Sequence, residues 1–441
     1  MDITRRTALS FGAAGGLTLA GCATFQSGSD LQGASADPGI PTSPLSPAEL
    51  AKDETYWSQI AALYDTPKDG IIQLENANWG VMARPVMETF FAQTEMVNRE
   101  SSYYQRRDYW PDMTPIIQQT ADMLGVSRDE IVFTRGATEA LQSLIGGYNK
   151  LKPGDAVMYC DLDYDSMITA MDWLKTRRGV DVIRFDIPEP ATRESVLAAY
   201  DTALKSNPNV RLLLTTHISH RSGLMMPIAE ITDMARERGV DVICDAAHSF
   251  GQTDFKVPDL KADFVGLNMH KWIGAPIGVG ILYIRKDRIG DIDPFMGEFD
   301  PGPPTITKRI HTGTANFAAY LSMPKAIEVH QAIGVANKGA RLRYLRDLWA
   351  EPLRDHPQVD ILTPADPTMH AGITSFRLKG KTSNAHNVEL ARKLLEDYGI
   401  YTVYRIDLAQ GACVRVAPSY FTTPDDVIAL RKAITEIASA T

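Results

Sequence analysis

Asp245 and Lys271 have the residue types and the setting needed for chemistry on an organic cofactor. Each residue ends a short apolar segment, VDVICD for the aspartate and DFVGLNMHK for the lysine, that is typical of a buried strand. Charged side chains in this setting are seldom an ordinary surface ion pair, which is the alternative interpretation. An acid and a lysine at neighbouring strand ends suit pyridoxal phosphate, because the acid keeps the pyridine nitrogen protonated and the lysine amine forms the Schiff base.

A strand-to-helix segment, RGATEA at residues 135–140, could bind the phosphate of such a cofactor. Gly136 lets the backbone approach an anion closely, the first amides of the following helix point toward it, and Thr138 adds a hydroxyl. Many strand-to-helix turns begin with a glycine and bind no ligand, so the segment alone is a weak signal. Together with Asp245 and Lys271, it predicts the phosphate end of the site.

Alternating strand-like and helix-like segments must position these residues. IVFTRG precedes ATEALQSLIGGYNKL, DAVMYC precedes SMITAMDWLKTRRG, and VRLLLTTHIS precedes IAEITDMARERG. This order predicts an α/β fold with a mainly parallel sheet, helices on both faces and ligands at the carboxyl ends of the strands. We expect a large domain over residues 49–310 that includes an N-terminal arm, and a helix that Pro47 opens. The pattern then changes, which predicts a smaller C-terminal α+β domain over residues 311–441 that begins with a helix around 315–350.

The first residues are typical of an export signal. MDITRRTALSFGAAGGLTLAGCA contains the twin arginines Arg5 and Arg6, a modest apolar stretch and then Leu-Ala-Gly-Cys. TRRTALS resembles the twin-arginine signal, which implies passage through the twin-arginine export machinery. LAGC resembles the lipobox of bacterial lipoproteins, in which Cys22 would be acylated and tether the chain to a membrane. We expect a signal over residues 1–22, a flexible tether over residues 23–48 and a periplasmic protein, with a leader of no targeting role as the alternative.

Composition and charge exclude several classes of protein. The 441 residues are 44% hydrophobic, which suffices for a large core, and the net charge of −9 argues against a nucleic-acid partner. No apolar run is long enough for a transmembrane helix. Cys160, Cys244 and Cys413 lack regular spacing and are interpreted as core residues, which excludes a disulfide framework. His217 and His220 have no third ligand nearby, so we expect no metal site and interpret them as lining the site or serving the structure.

Four short motifs in a fixed order resemble those of a known family. RGATEA, CDAAH, MHKW and GTAN resemble the class V (fold type I) pyridoxal-phosphate-dependent aminotransferases, over roughly residues 70–430. LENANWGVMARPVMETF and the stretch around DLDYDSM look closest to the isopenicillin N epimerase-like subgroup. The resemblance implies an α/β fold of fold type I, with a mainly parallel seven-stranded sheet in the large domain and a smaller C-terminal α+β domain. It also implies pyridoxal 5'-phosphate as the cofactor.

The resemblance assigns roles to individual positions. The cofactor-binding residues that it implies are Ala137, Thr138 and His270 at the phosphate, Tyr164 on the pyridine ring, Asp245 at the ring nitrogen, His248 near the phenolic oxygen, Lys271 as the Schiff-base lysine, and Thr314 at the phosphate of the neighbouring subunit. Thr314 therefore implies a homodimer with shared active sites. Arg415, in CVRVAP, would hold the substrate carboxylate with its two-pronged guanidinium, and Asn78, in NANWG, would contact the substrate.

Each of these assignments has a structural alternative. His248 and His270 could serve only as hydrogen-bond partners, and Tyr164 could simply pack. Arg415 could be a solvated arginine on a strand. For Asn78, an ordinary role in a turn is the favoured interpretation.

The residues and the resemblance together predict an enzyme that acts on the amino group or the α-carbon of an amino acid or an amino-acid-containing metabolite. Lys271 is positioned to remove the α-proton, and Arg415 fixes the carboxylate. An aminotransferase-like reaction is the main prediction, with an amino-acid epimerase or a lyase as the alternatives. A desulfurase is disfavoured, because GIYTVYRIDLAQGA lacks the loop cysteine of that group, and a non-catalytic binding protein has no need for the lysine. The expected export favours the tailoring of a peptide or siderophore precursor over a β-lactam pathway.

Overall fold

Two β-sheets and a short parallel strand pair organise the part of the chain that the computed structural model describes, residues 39–67 and 70–440. The strands are β1 (Ile72–Gln73), β2 (Ile131–Thr134), β3 (Ala156–Cys160), β4 (Asp181–Phe185), β5 (Val210–Thr216), β6 (Asp241–Asp245), β7 (Phe264–Asn268), β8 (Gly280–Ile284), β9 (Val359–Ile361), β10 (Thr374–Leu378), β11 (Ile400–Tyr401), β12 (Val403–Arg405) and β13 (Cys413–Val416). The α-helices are α1 (Pro47–Leu50), α2 (Glu54–Ala61), α3 (Arg84–Arg107), α4 (Tyr109–Leu124), α5 (Ala137–Gly147), α6 (Asp165–Arg178), α7 (Arg193–Ser206), α8 (Ile228–Arg236), α9 (Phe317–Leu321), α10 (Met323–Ile333), α11 (Val335–Ala350), α12 (Asn384–Tyr398) and α13 (Pro424–Ser439). The predicted signal over residues 1–22, with Cys22, and residues 23–38 of the predicted tether lie outside the described residues.

The larger sheet has the strand order β2-β8-β7-β6-β5-β3-β4. Strands β3 to β7 pair in parallel, and β8 runs antiparallel between β2 and β7. The prediction of a seven-stranded, mainly parallel sheet in an α/β fold is confirmed. Because β6 and β7 are parallel neighbours, their carboxyl ends meet at one edge of the sheet, which brings Asp245 close to the segment that holds Lys271.

Both faces of this sheet are covered. In β6, Ile243 packs in one hydrophobic cluster, whereas Val242 and Cys244 pack in the other. A strand that is buried on both faces is apolar along its length, which explains sequences such as VDVICD. Gly266 in β7 lets α5 lie directly on the sheet, since a Cβ there would be 2.6 Å from Cγ of Leu141. The N-terminus of α5 is thereby held next to the strand ends.

The prediction of a smaller C-terminal α+β region is confirmed by the second sheet. This sheet is antiparallel, with the strand order β12-β13-β10-β9. It packs around a hydrophobic cluster of its own that contains Trp349, Phe376 and Leu430. The parallel pairing of β1 with β11 joins the N-terminal arm to this region. The domain boundary at residue 310 stays a prediction.

Two segments expected as single helices are interrupted. The helix that Pro47 opens ends after one turn, and Asp53 then caps α2 by accepting hydrogen bonds from the amides of Thr55 and Tyr56. The helix expected around 315–350 is divided into α9, α10 and α11, with Gly334 at a φ of 86° between the last two. Among the described residues, no helix is both long and apolar enough to cross a bilayer.

Candidate active site

A pocket of about 580 Å³ opens at the carboxyl ends of the central strands, beside the N-terminus of α5. Its size is that of a small-molecule site. The structure brings every residue that was predicted for the site into this pocket except Thr314. The predicted residues that line it are Asn78, Ala137, Thr138, Tyr164, Asp245, His248, His270, Lys271 and Arg415.

Lys271 lies in the pocket wall just beyond β7. Its Nζ is 3.2 Å from Nε2 of His248. Burial lowers the pKa of Lys271 to about 8, while the charge of Asp245 raises it. A lysine with this pKa has a substantial neutral fraction near neutral pH, and the neutral amine is the form that acts as a nucleophile or a base.

Asp245 ends β6 as a buried carboxylate that faces the same pocket. Its Oδ1 accepts a hydrogen bond from the amide of Ala247 at 2.9 Å. Burial raises the pKa of Asp245, and the Ala247 amide and the charge of Lys271 oppose this effect. A buried carboxylate is stable only beside a positive or hydrogen-bonding partner, and the pocket leaves room for one.

The N-terminus of α5 forms a corner that can bind an anion. Oδ1 of Asn268 accepts a hydrogen bond from the amide of Ala137 at 2.7 Å. The N–H of Ala137 is therefore already bonded within the protein, and Ala137 lines the corner without donating to an anion. The amides of Thr138 and Glu139 have no acceptor inside the helix and point outward, as at other anion-binding helix ends. Nδ1 of His270 lies 2.9 Å from the carbonyl oxygen of Val279, which holds the ring at the edge of this corner.

The importance of Asn268 was not predicted from the sequence. Its only signal is that a polar residue ends the otherwise apolar strand β7, where an alternating or continuous apolar pattern would place another hydrophobic side chain.

Gly80 allows the NANWG segment to pack closely against the backbone of Lys271. Its amide donates a hydrogen bond to the carbonyl of His270 at 2.8 Å, and a Cβ on Gly80 would lie 1.9 Å from the carbonyl oxygen of Lys271. Any larger residue would therefore displace the backbone of the lysine. Asn78, two residues earlier, is exposed at the pocket, and its contact with a substrate stays a prediction.

Tyr164 precedes α6 and lies beside a buried histidine. Its ring is edge-on to that of His220, with the centroids 5.0 Å apart. Nε2 of His220 is 3.6 Å from Oδ2 of Asp165, and Asp165 also pairs with Arg221. The interaction with His220 and the charge of Arg221 lower the pKa of Asp165 to about 2, against the effect of burial. His220 thus lines the site, and the stacking of Tyr164 on the cofactor ring stays a prediction.

His217, by contrast, lies outside the pocket. Its amide donates to the carbonyl of Asp245 at 2.9 Å, and its ring packs edge-on against Phe255. Burial lowers the pKa of His217 to about 4, so the ring is neutral. Its role is to support the end of β6.

Arg415 is buried, only 1% exposed, and held by the protein, so it is not a solvated strand arginine. One terminal nitrogen pairs with Glu75, and Nη1 donates to the carbonyl of His220 at 2.7 Å. Burial lowers the pKa of Arg415 to about 10, while Glu75 raises it. Its role as the substrate-carboxylate residue stays a prediction.

A second arginine, Arg405, lines the same pocket, and its Nη2 is 3.8 Å from Oε1 of Glu75. Neither Arg405 nor Glu75 was among the predicted site residues. For Arg405, the available signal was a charged residue at the end of the strand-like segment IYTVYR. For Glu75, it was an acid just after the largely apolar segment IIQL at residues 71–74.

Thr314 is the one predicted site residue that the structure does not place in the pocket. It is exposed and lines a separate groove of about 1640 Å³, together with residues of α3 and α4 such as Thr94 and Trp110. An exposed position is required of a residue that contacts a neighbouring subunit. The contact itself, and the homodimer it implies, stay predictions.

The three described cysteines, Cys160, Cys244 and Cys413, are buried, and none of them lines the pocket. Burial raises the pKa of each thiol, which keeps it protonated and weakly nucleophilic. Within residues 39–67 and 70–440, no group of three or more His, Cys, Asp or Glu side chains could hold a metal ion.

The pocket fits pyridoxal phosphate. It offers an amine with a lowered pKa, a buried carboxylate and an anion-binding helix end in a single cavity. Nδ1 of His248 is buried and has no hydrogen-bond partner among the described residues, as expected for a side chain whose surroundings a ligand completes. Asp245 would hold the protonated ring nitrogen, α5 and His270 the phosphate, and Lys271 the aldehyde carbon.

Comparison with known proteins gives an independent result. Residues 87–404 match the family model described as Aminotransferase class-V. The chain is 27% identical over 334 residues to the isopenicillin N epimerase of Streptomyces clavuligerus, covering 72% of this chain and 82% of that protein. It is 25% identical over 395 residues to the isopenicillin N epimerase of Amycolatopsis lactamdurans, covering 83% and 95%. A probable cysteine desulfurase of Methanothermobacter thermautotrophicus is 26% identical over 349 residues, covering 73% and 82%.

Solved structures share the fold. The apo cysteine desulfurase of Thermococcus onnurineus matches with a TM-score of 0.71 at 21% identity, covering 84% of this chain and 95% of that one. A C-DES mutant with glycine covalently linked to its PLP cofactor matches with a TM-score of 0.70 at 21% identity, covering 85% and 99%. These likenesses establish the arrangement of helices and strands.

Proposed function

The chain belongs to the aminotransferase class-V family, and from this premise we propose that it is a pyridoxal-phosphate-dependent epimerase of an amino acid or an amino-acid-containing metabolite. The observation that carries the proposal is the placement of Lys271 and Asp245 in one pocket with the N-terminus of α5. Two curated relatives that align with more than two thirds of the chain are named isopenicillin N epimerases. They favour epimerisation over the aminotransferase-like reaction that was the main prediction.

Different side chains of the pocket contribute to breaking the bond between the α-carbon and its proton. When bound, pyridoxal phosphate supplies an electron sink for negative charge at the substrate α-carbon. Asp245 keeps a proton on the ring nitrogen, and the neutral amine of Lys271 removes the α-proton. An arginine of the pocket holds the substrate carboxylate, so that the bond to be broken has a fixed direction.

Inversion requires that a proton be returned to the face of the α-carbon opposite the one from which the α-proton left, and two carriers on opposite sides can do this. In the order of the sheet, β7, which leads to Lys271, and β3, which leads to Tyr164, lie on opposite sides of β6 and its Asp245. Both side chains line the pocket. We therefore propose that the hydroxyl of Tyr164 returns a proton to the face opposite the one from which Lys271 removes it.

Sulfur transfer is not proposed, although several relatives are named cysteine desulfurases. That chemistry needs an accessible thiolate near the substrate, and the thiols of Cys160, Cys244 and Cys413 are buried away from the pocket.

The decisive experiment is incubation of the holoenzyme with a panel of amino acids in heavy water. We expect deuterium at the α-carbon together with inverted configuration, scored by mass spectrometry and chiral chromatography, and no keto acid. Lys271→Ala should lose both signals and the absorbance of the covalently bound cofactor. Tyr164→Phe should keep exchange but lose inversion. Formation of keto acid without inversion would reject the epimerase in favour of an aminotransferase.

We also propose that the enzyme acts in the periplasm, on an exported peptide or a siderophore precursor. The proposal rests on the sequence around Arg5, Arg6 and Cys22. The Arg5→Lys/Arg6→Lys double variant should accumulate in the cytoplasm, and a Cys22→Ser variant should no longer incorporate labelled fatty acid. Full export of the double variant would contradict the proposed twin-arginine signal. Absence of fatty acid from the parent chain would contradict the proposed lipid anchor at Cys22.

A further inference from the structure

Arg221 is a buried arginine that adjoins residues of the pocket wall. It lies in the segment between β5 and α8, and its side chain is only 2% exposed. Its own carbonyl accepts a hydrogen bond from Oγ of Ser375, in β10, at 2.5 Å. An arginine keeps its charge inside a protein, so its guanidinium needs acceptors and a negative partner within the fold. The groups that supply them show what Arg221 holds in place.

The guanidinium of Arg221 joins three separate segments. Nη1 donates to the carbonyl of Asp161 at 2.7 Å, just after β3. It also donates to the carbonyl of Asp407 at 2.6 Å, in the loop of residues 406–412 that connects β12 and β13. Nη2 pairs with Oδ1 of Asp165, the first residue of α6. The start of α6 is thereby tied to the C-terminal sheet.

The 406–412 loop is held by buried charged side chains. Besides the bond from Arg221 to its Asp407, Oδ2 of Asp161 accepts a hydrogen bond from the amide of Ala409 at 2.9 Å. Asp407 has a φ of 65°, in the left-handed region that few residues other than glycine adopt. The bond from Arg221 to its carbonyl stabilises this conformation, so loss of Arg221 should loosen the loop.

Asp165 transmits the effect of Arg221 to the pocket. Its Oδ2 lies 3.6 Å from Nε2 of His220, whose ring is edge-on to that of Tyr164. Tyr164 directly precedes α6, and all three of these residues line the pocket. Nδ1 of His220 is buried and has no partner in the described part of the chain, so the ring depends on Asp165 for its placement. Fixing Asp165 therefore fixes the neighbourhood of Tyr164.

The lysine side of the pocket has separate supports. Lys271 follows β7, and the amide of Gly80 donates to the carbonyl of His270 at 2.8 Å, directly before the lysine. The partners of Arg221 lie instead after β3, at the start of α6 and in the C-terminal sheet. A change at Arg221 should thus disturb one side of the pocket and spare the other.

We propose that Arg221 is a positioning residue for the Tyr164 side of the pocket, which it keeps in place by fixing the start of α6 to the 406–412 loop. The inference rests on the proposed function, in which the hydroxyl of Tyr164 protonates the α-carbon on the face opposite Lys271. When Tyr164 is displaced, the amine of Lys271 still removes the α-proton and returns a proton to the same face. The ratio of inversion to exchange therefore reports on Arg221.

Stereochemistry in heavy water tests the inference, with the common amino acid that the parent holoenzyme exchanges fastest. In Arg221→Met, α-deuterium incorporation should stay within about three-fold, while inverted product per exchange event falls about ten-fold or more, because a small displacement of a reacting group costs a large factor in rate. Arg221→Lys keeps the charge but not the fork, so it should recover part of the inversion. Should Arg221→Met not fold, Asp165→Asn removes the same ion pair and should shift the ratio in the same direction.

Arg341→Met is the matched control. Arg341, in α11, is 1% exposed and pairs with Glu54, and it donates to the carbonyls of Ala51 at 2.9 Å and Thr422 at 3.2 Å. Its loss should destabilise the protein as loss of Arg221 does, since both remove a buried, paired guanidinium. The ratio of inversion to exchange should equal that of the parent. Thermal unfolding midpoints show whether the two variants are equally destabilised.

Amide hydrogen exchange of the holoenzymes, followed by mass spectrometry, gives a readout that does not depend on the reaction. Peptides covering residues 161–168 and 406–412 should be protected in the parent. Arg221→Met should lose protection in both peptides together, and Arg341→Met in neither, because only Arg221 joins these two segments.

An unchanged ratio of inversion to exchange in Arg221→Met would overturn the inference. An equal loss of exchange and inversion would also overturn it, because that result indicates a structural role alone. A parent enzyme that exchanges the α-proton or forms keto acid without inversion would instead reject the proposed function. In that case the two peptides decide about Arg221: joint loss of protection in Arg221→Met supports its fixing of α6 to the loop, and protection like that of the parent rejects it.

Discussion

Lys271 owes its chemistry to its neighbours more than to its residue type. A lysine in an unfolded chain is protonated near neutral pH, whereas burial lowers the pKa of Lys271 to about 8. Asp245 acts in the opposite direction, because its negative charge favours the protonated amine. The balance between burial and charge therefore sets how much neutral amine is ready to attack the aldehyde of the cofactor.

This balance predicts how the loading of the cofactor depends on pH. The rate at which the apoprotein binds pyridoxal phosphate covalently should rise with pH and level off above the pKa of Lys271, about 8. In Asp245→Asn the negative charge is gone, so the midpoint should move to lower pH. Stopped-flow absorbance between about pH 6 and about pH 10 measures both curves. A midpoint that moves upward in Asp245→Asn would contradict the assigned role of the charge.

The site residues differ in how far their sequence context could reveal them. Asp245 and Lys271 each follow their own apolar strand, so local sequence was enough to predict them. The partner of Arg415, Glu75, lies 340 positions away in the chain, and no local pattern encodes that contact. Arg405 has the same difficulty, because its charged neighbour Glu75 is just as distant in the sequence.

At the scale of elements, α11 supports the segment that carries the lysine. Lys338 in α11 is fully buried, and its Nζ donates to the carbonyl of Trp272 at 2.6 Å, directly after Lys271. The same amine lies 3.0 Å from Nδ1 of His330 and 4.4 Å from the centre of the Tyr420 ring. None of these partners is a carboxylate, and burial lowers the pKa of Lys338 to about 7.

The stability of the protein should therefore depend on pH through Lys338. Between pH 7 and the pKa of an unfolded lysine, about 10.4, the unfolded chain binds a proton that the folded chain does not. Raising the pH through this range should thus stabilise the parent protein relative to Lys338→Met. Thermal unfolding midpoints at about pH 7 and about pH 9.5 test this. Exposed Lys52→Met is the matched control, in which the gap to the parent should stay constant.

The turn NANWG shows what a glycine contributes to an element. The sequence marks it as a turn, but only the structure shows that Gly80 packs against the backbone of Lys271. Gly80→Ala should destabilise the protein by about 1–3 kcal/mol, because the new Cβ would force the two backbones apart. It should also weaken cofactor binding more than its effect on stability explains. Thermal unfolding and cofactor titration measure the two effects.

The matched control for that substitution is Gly302→Ala. A Cβ on Gly302 would meet no atom within 4 Å, and its backbone is not in the left-handed region. Its unfolding midpoint and cofactor affinity should match those of the parent. Equal behaviour of the Gly80 and Gly302 variants would show that the turn tolerates movement and does not position the lysine.

At the scale of the whole molecule, the order of segments was enough to predict the fold. Strands and helices alternate along the large domain, and parallel sheets with helices on both faces follow from that order. The antiparallel insertion of β8 and the parallel pair of β1 with β11 could not be read in this way. These pairings depend on contacts between segments that are distant in the sequence, so no local pattern predicts them.

We expect a second copy of the chain to bind at the groove that Thr314 lines. It is lined by α3, α4 and the segment before α9, and Trp110 in it is 60% exposed. Large exposed aromatic side chains in a groove are typical of protein interfaces. We therefore expect a homodimer in solution, and Trp110→Glu should convert it to a monomer, as measured by light scattering.

Shared active sites make a sharper prediction, because each site would combine Lys271 of one subunit with Thr314 of the other. Thr314→Val alone should weaken cofactor binding about ten-fold, through loss of a hydrogen bond to a charged phosphate. Lys271→Ala alone should abolish covalent binding. A mixed dimer of the two variants contains one site with an intact lysine and an intact threonine. Refolding the variants together, or expressing them together with different tags, produces this mixed dimer. It should bind pyridoxal phosphate with high affinity at one site per dimer, which is half the number of sites in the parent dimer. If the mixed dimers bind the cofactor no better than the Thr314→Val homodimer, Thr314 does not contribute to the partner's site. The groove would then not be part of a shared active site.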